Sequence, residues 1–152
     1  MGALPVTLEV PTERIRTTMD TAGPREFQSP VEIVWIFAQE FVTILDKFHP
    51  HDLSVSDAAQ IETEHVWKPG CYVFWHPNRV VKVGRSFSNA RKRALEHIRD
   101  NTGDKLAALA DEDKARLVLF SLKDPNEYHW AASVEVFLER ELTPEVKSLR
   151  TG

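Results

Sequence analysis

The sequence predicts an α+β domain, a small three-stranded and mainly antiparallel sheet flanked by helices, with an added N-terminal helical segment. Three observations lead there. Two short runs of β-branched and aromatic residues, Cys71–Trp75 and Val80–Val83, flank a turn at His76-Pro77-Asn78, as a hairpin requires. A continuous apolar run over Ala115–Leu122 reads as a central strand. Helix start signals stand at Ser29 and Asp124, each followed by a proline and, at the third helical position, by a glutamate that completes a capping box.

In chain order, residues 1–28 are polar and broken by Pro5, Pro11 and Pro24, with an edge strand expected at Val6–Val10. From the Ser29 cap a helix is expected over Pro30–Phe48, stopping before Pro50. Its polar residues occupy one narrow face. A helix apolar over so much of its circumference is buried on several sides or docks against another chain, so a homodimer through residues 30–48 is an expectation. A short helix is expected at Ala58–Glu64 and a turn at Lys68-Pro69-Gly70. In the hairpin, a three-residue loop would pair Trp75 with Arg79 and Tyr72 with Lys82, setting phenol and amine side by side. A two-residue loop would throw them onto opposite faces. A basic helix follows over Ser88–Arg99, capped by Ser88 or Asn89 and ended by Asn101-Thr102-Gly103. Asp104–Ala110 adds a further helical piece, and the last helix runs from the Asp124 cap to about Thr143, before Pro144.

The totals bound the class of protein. At 152 residues, 42% hydrophobic and 28% charged, the chain has the composition of an ordinary soluble globular domain with one core. Residues 1–66 read as an N-terminal extension and 67–152 as the functional domain. No apolar run approaches the roughly eighteen residues a membrane span needs. The N-terminus lacks a secretory signal pattern, and the single cysteine, Cys71, suits a reducing cytoplasm.

A net charge of −4 argues against indiscriminate binding of polyanions by the whole surface. The distribution differs locally. Between Arg79 and Arg99 stand seven Lys or Arg (79, 82, 85, 91, 92, 93 and 99) against one acid, Glu96, a pattern expected of a phosphate-facing patch. In the last helix, Ala131, Val134, Leu138 and Leu142 form the apolar arc and Glu135 falls at its border, where a carboxylate is costly unless it meets a cation or metal. Glu139, one turn on, is the competing candidate. His49-Pro50-His51 lacks a partner set for a metal and reads as a pair of solvated loop histidines.

The order from Gly70 to Pro144, strand, turn, strand, helix, strand, helix, resembles the GIY-YIG nuclease superfamily. Gly70-Cys71-Tyr72 stands where that family has Gly-Ile-Tyr, and Lys82-Val83-Gly84 where it has Tyr-Ile-Gly. Arg93 and His97 match the arginine and histidine of its next helix, with one more residue after the glycine than in the commonest spacing. Ala131, Glu135, Leu138 and Pro144 match its last helix, which carries a single metal-binding glutamate. Two positions depart from the pattern: Lys82 replaces the second tyrosine, and no asparagine follows Pro144.

The resemblance implies a metal-dependent DNA endonuclease with one Mg²⁺ or Mn²⁺ on Glu135. Arg93 would bind the scissile phosphate, and Tyr72 would position or deprotonate the attacking water. An ordinary phenol loses its proton near pH 10, so Tyr72 would need the neighbouring cations Lys82 or Arg93 to ionise. Lys82 would also be able to bind a phosphate, and His97 to relay a proton. Arg79, Arg85, Arg91 and Lys92 would grip flanking phosphates of the nucleic acid. The alternative is a module of the same fold that binds nucleic acid without cutting it.

Overall fold

The computed structural model describes residues 25–148, so the strand expected at Val6–Val10 lies outside the described residues. The fold is α+β, as the sequence predicts, but its antiparallel sheet has four strands instead of three. These are β1 (Phe48–Ser54), β2 (Gly70–His76), β3 (Arg79–Ser86) and β4 (Arg116–Leu122), in the order β1-β4-β2-β3. The helices are α1 (Pro30–Glu40), α2 (Ala90–Arg99) and α3 (His129–Leu142). The apolar run expected at the centre is indeed the central β4, paired on one side with β1 and on the other with β2.

The extra strand comes from the segment that reads as helix end and loop. Here α1 stops at Glu40, a 3₁₀ stretch spans Val42–Lys47, and Phe48 starts β1. Pairing with β4, from Phe48 with Leu122 to Ser54 with Arg116, imposes extended backbone on FHPHDLS, which has little strand propensity of its own. The helix expected at Ala58–Glu64 is absent, and a 3₁₀ turn at Val55–Asp57 precedes irregular chain instead.

The caps act where expected. Ser29 accepts the amide of Val31 at 3.2 Å, while Glu32 reaches back to the Gln28 amide at 3.1 Å instead of that of Ser29. Asn89, not Ser88, caps α2, accepting the Lys92 amide at 2.9 Å. Asp124 accepts the Asn126 amide at 2.9 Å, but the turn it starts is 3₁₀ (Pro125–Glu127) and α3 proper begins at His129. Glu127 then pairs with Lys47 at 2.6 Å.

Each face of the sheet has its own core. Phe27, Ile33, Val34 and Phe37 join Val73, Phe120, Val134 and Leu138 on the face covered by α1 and α3. On the other, Tyr72, Phe74 and Leu119 pack under Ala90 and Ala94 of α2 and under Leu106 and Leu109. Ile33, Val34, Phe37 and Ala38 are thus buried against the chain's own sheet, leaving Val31 and Val42 as the large apolar residues of this segment that are exposed. Among the described residues no helix is long and apolar enough to cross a membrane.

Two features of β3 set up the site. Its hairpin loop is two residues, Pro77-Asn78, with Asn78 at φ 73°, a left-handed position that asparagine tolerates. The pairing then slips, because Trp75 faces Val80 and Phe74 faces Lys82, leaving Val81 as a bulge. Tyr72 therefore pairs with Gly84 and not with Lys82. The bulge offsets the shorter loop, so Tyr72 and Lys82 remain on one face as diagonal neighbours. The second feature is the chain after α3, which runs along the outer edge of β3. There the amides of Glu145 and Val146 donate to the carbonyls of Val80 and Val81 at 3.2 and 2.8 Å, and Ser148 Oγ donates to Val83 O at 3.1 Å.

Candidate active site

A cleft of about 850 Å³ opens at the β3 edge, lined by residues of α2 from one face of the sheet and of α3 from the other. Tyr72, Lys82, Arg93, His97 and Glu135 all line it, together with Arg85. Five positions from four elements, β2, β3, α2 and α3, spread over more than sixty residues thus converge.

Tyr72 is almost wholly buried, and its ring lies 5.8 Å from that of His97. Gly84 makes this placement possible, since a Cβ at that position would come within 2.2 Å of the phenol Cζ and Oη. Gly84→Ala is expected to lower stability by about 1–3 kcal/mol, the usual cost of overpacking, and to displace Tyr72 from the cleft. Denaturant titration measures the loss, and Tyr72→Val in the Gly84→Ala background should recover part of it. No recovery would mean that the ring is not the obstacle.

Burial pushes the Tyr72 phenol well above the ordinary value, and the positive charges of Arg93 and Arg85 pull it back only in part. A phenol shifted in this direction keeps its proton at neutral pH and has a hydrogen to donate. His97 moves the other way. Burial, reinforced by the charges of Lys82 and Arg93, brings its imidazole down to about 4, so the ring is neutral across the physiological range. Its Nδ1 is 2.7 Å from Thr102 Oγ1, a residue of the loop that ends α2. Lys82 is 6% exposed, and burial lowers its amine while Glu139 and Glu135 hold it up in part.

Glu135 is the most constrained acid of the group. Its carboxylate is 5% exposed and takes an ion pair at 2.5 Å from Arg85, whose guanidinium is 35% exposed. The partner of the buried carboxylate is itself about one third exposed to solvent. Glu139 does not line the cleft, and its carboxylate accepts the Ser148 amide at 2.8 Å. Arg93 is exposed on the first half of α2 and meets Glu96 at 3.1 Å.

The remaining cations of the basic patch are placed differently. Arg91 donates to the carbonyls of Ala58 and Ile61, tying α2 to the chain that follows β1. Arg79 pairs with Glu145 at 2.7 Å at the far end of the hairpin. Lys92 is exposed but does not line the cleft. Of the four positions expected to grip flanking phosphates, Arg85 alone is at the cleft, and it is engaged with Glu135.

Sequence reasoning missed several lining residues. Phe87 follows β3, Thr102 and Gly103 end α2, and Val146–Ser148 belong to the segment along β3. The left-handed Asn101 marks the α2 end in sequence, whereas nothing local announces that 146–148 return to the site. His49 and His51 lie in strand β1, not in a loop, and His51 is 5% exposed with its ring stacked 4.6 Å from that of His49. Among the described residues no group of three or more His, Cys, Asp or Glu is arranged to hold a metal ion. No protein-family model, curated protein or solved structure matches the chain.

Proposed function

We propose that the chain is a metal-dependent endonuclease that hydrolyses phosphodiester bonds in DNA by a one-metal chemistry of the GIY-YIG type. The observation that carries this reading is a single cleft lined by a buried carboxylate, two guanidinium groups, a buried phenol and an imidazole. Each matches a demand of phosphodiester hydrolysis, which needs a positioned water, a proton acceptor and relief of charge on phosphate.

A hard cation such as Mg²⁺ takes one or two carboxylates and completes its shell with water and phosphate oxygens, so one protein ligand suffices. Glu135 fits that requirement in kind, an anionic oxygen donor in a cleft with room for solvent and phosphate. Mg²⁺ or Mn²⁺ would be held by Glu135, with Arg85 sharing or releasing the carboxylate. Bound there, the ion supplies Lewis-acid neutralisation of the phosphate oxygens.

The chain's own groups do the rest. Arg93 leaves its solvent-exposed pair with Glu96 and binds the scissile phosphate. Tyr72 donates a hydrogen bond that orients the attacking water. His97, already neutral, accepts the proton that this water loses. Lys82, nearly buried in the same cleft, adds positive charge for the phosphate.

The alternative is a nucleic-acid-binding module that does not cut. It is favoured by the 2.5 Å pair that occupies Glu135 and by a lysine at the place of the second tyrosine. The deciding experiment is incubation of the purified protein with plasmid and with short linear and branched DNAs, in Mg²⁺, Mn²⁺ or EDTA. Nicking that requires the metal and stops in EDTA is expected. Binding with no cleavage under any condition would replace the hydrolase with the module.

A further inference from the structure

The described residues include six exposed large hydrophobics, and two of them touch each other, one of which lines the cleft. Phe87 directly follows β3 and lines the cleft, while Tyr128 directly precedes α3. Each is 48% exposed, and their ring centroids are 5.4 Å apart with planes tilted by 53°. A single exposed ring needs no explanation, but two from separate segments brought together at a cationic cleft do.

A third contact ties the rings to the site. The Arg85 guanidinium lies 5.1 Å from the Phe87 ring centroid while it holds Glu135 at 2.5 Å. Carboxylate, guanidinium and the two rings therefore form one continuous track from the floor of the cleft to its rim. On the proposed metal reading of Glu135, the inner end is where the phosphate would bind. The outer end offers apolar π surface that is flat, uncharged and about half exposed to water.

We propose that Phe87 and Tyr128 form a stacking platform for an unpaired nucleobase, so that the cleft takes nucleic acid with single-stranded or unstacked nucleotides next to the bound phosphate. The inference rests on the phosphodiester reading of the same cleft and names its substrate class. In a continuous duplex the faces of the bases are covered by their neighbours, and only edges and backbone are presented. Aromatic side chains capture bases whose faces are free, in single strands, flaps, loops and junctions. The basic groups of the cleft supply sequence-independent attraction to the backbone, and the rings supply the preference for unpaired structure. Phe87 and Tyr128 discriminate between substrates and take no part in the chemistry.

The test is fluorescence anisotropy on the full chain in EDTA, where no cleavage interferes. The probes are a labelled single strand, its duplex, and the same strand with abasic positions. Wild type should prefer the single strand over both duplex and abasic strand by on the order of 10-fold or more. Phe87→Leu and Tyr128→Leu, which keep apolar bulk but remove the π face, should together abolish that preference and leave duplex binding within about twofold. Phe87→Trp should retain it. Equal affinity of wild type for the three probes overturns the platform while the phosphodiester reading stands, and this arm needs no variant to fold. An equal loss on all probes in the leucine variants also overturns it. Failure of wild type to bind any of them removes the phosphodiester reading, and the platform with it.

Discussion

Glu135→Ala is expected to abolish metal-dependent cleavage of DNA while leaving the fold in place. The carboxylate is nearly buried, and it is the acid of the α3 apolar arc that lines the cleft. On the proposed one-metal reading Glu135 is the one protein ligand, and among the described residues no other carboxylate lines the cleft, so its removal should leave no partial activity to measure. Truncating one member of a buried pair is ordinarily severe, because the other is left charged and unpaired. Here the partner is Arg85, 35% exposed, which can turn to water when the carboxylate is gone. The unfolding transition should therefore move little. Binding of DNA in EDTA should stay the same or tighten, since Arg85 is then released for phosphate. Cleavage by the alanine variant at wild-type rate would end the assignment of Glu135.

Arg93→Ala is the second large effect, with turnover expected to fall by roughly 10²–10³, the cost typical of losing one charge-stabilising donor. Its side chain is about half exposed, and its pair with Glu96 at three residues' spacing is of a kind that adds little to stability. A loss of turnover without a loss of folding is thus the expected signature. Glu96→Gln separates the two roles. It releases Arg93 from its present partner, and turnover should hold or rise. If Glu96→Gln were as damaging as Arg93→Ala, the ion pair itself, and not contact with phosphate, would be what matters.

Much of this arrangement was legible in the residues, because the signals were local. β-branched and aromatic runs marked β2, β3 and β4, and side-chain caps marked the starts of α1 and α2. The phase of α3 singled out Glu135, since an acid at the border of an apolar arc is expensive without a cation. What was not legible depends on partners distant in sequence. β1 carries histidines and a proline, and only its ladder with β4 makes it a strand. The end of α1 at Glu40 has no glycine or proline to announce it, and uniform apolarity along 30–48 hides the change from helix to 3₁₀ turn. The hairpin register combined a shorter loop with a bulge, two departures that cancel in which face they present. For that reason Tyr72 and Lys82 share a cleft although their predicted pairing was wrong.

The cations divide along the same line. Composition revealed a local surplus of positive charge but not its allocation. Arg91 and Arg79 are bound to groups from other parts of the chain, the carbonyls of Ala58 and Ile61 and the carboxylate of Glu145. Arg85 is drawn to Glu135 because α3 brings that acid to the β3 edge, a meeting no spacing in the sequence encodes.

The chain that runs beside β3 has an effect beyond lining the cleft. An outermost strand with open carbonyls invites a strand from another molecule, the route to aggregation and swapped dimers. Here Glu145, Val146 and Ser148 already occupy the carbonyls of Val80, Val81 and Val83. Val146 and Ser148, which line the cleft, thus also help deny neighbouring copies a template along this border.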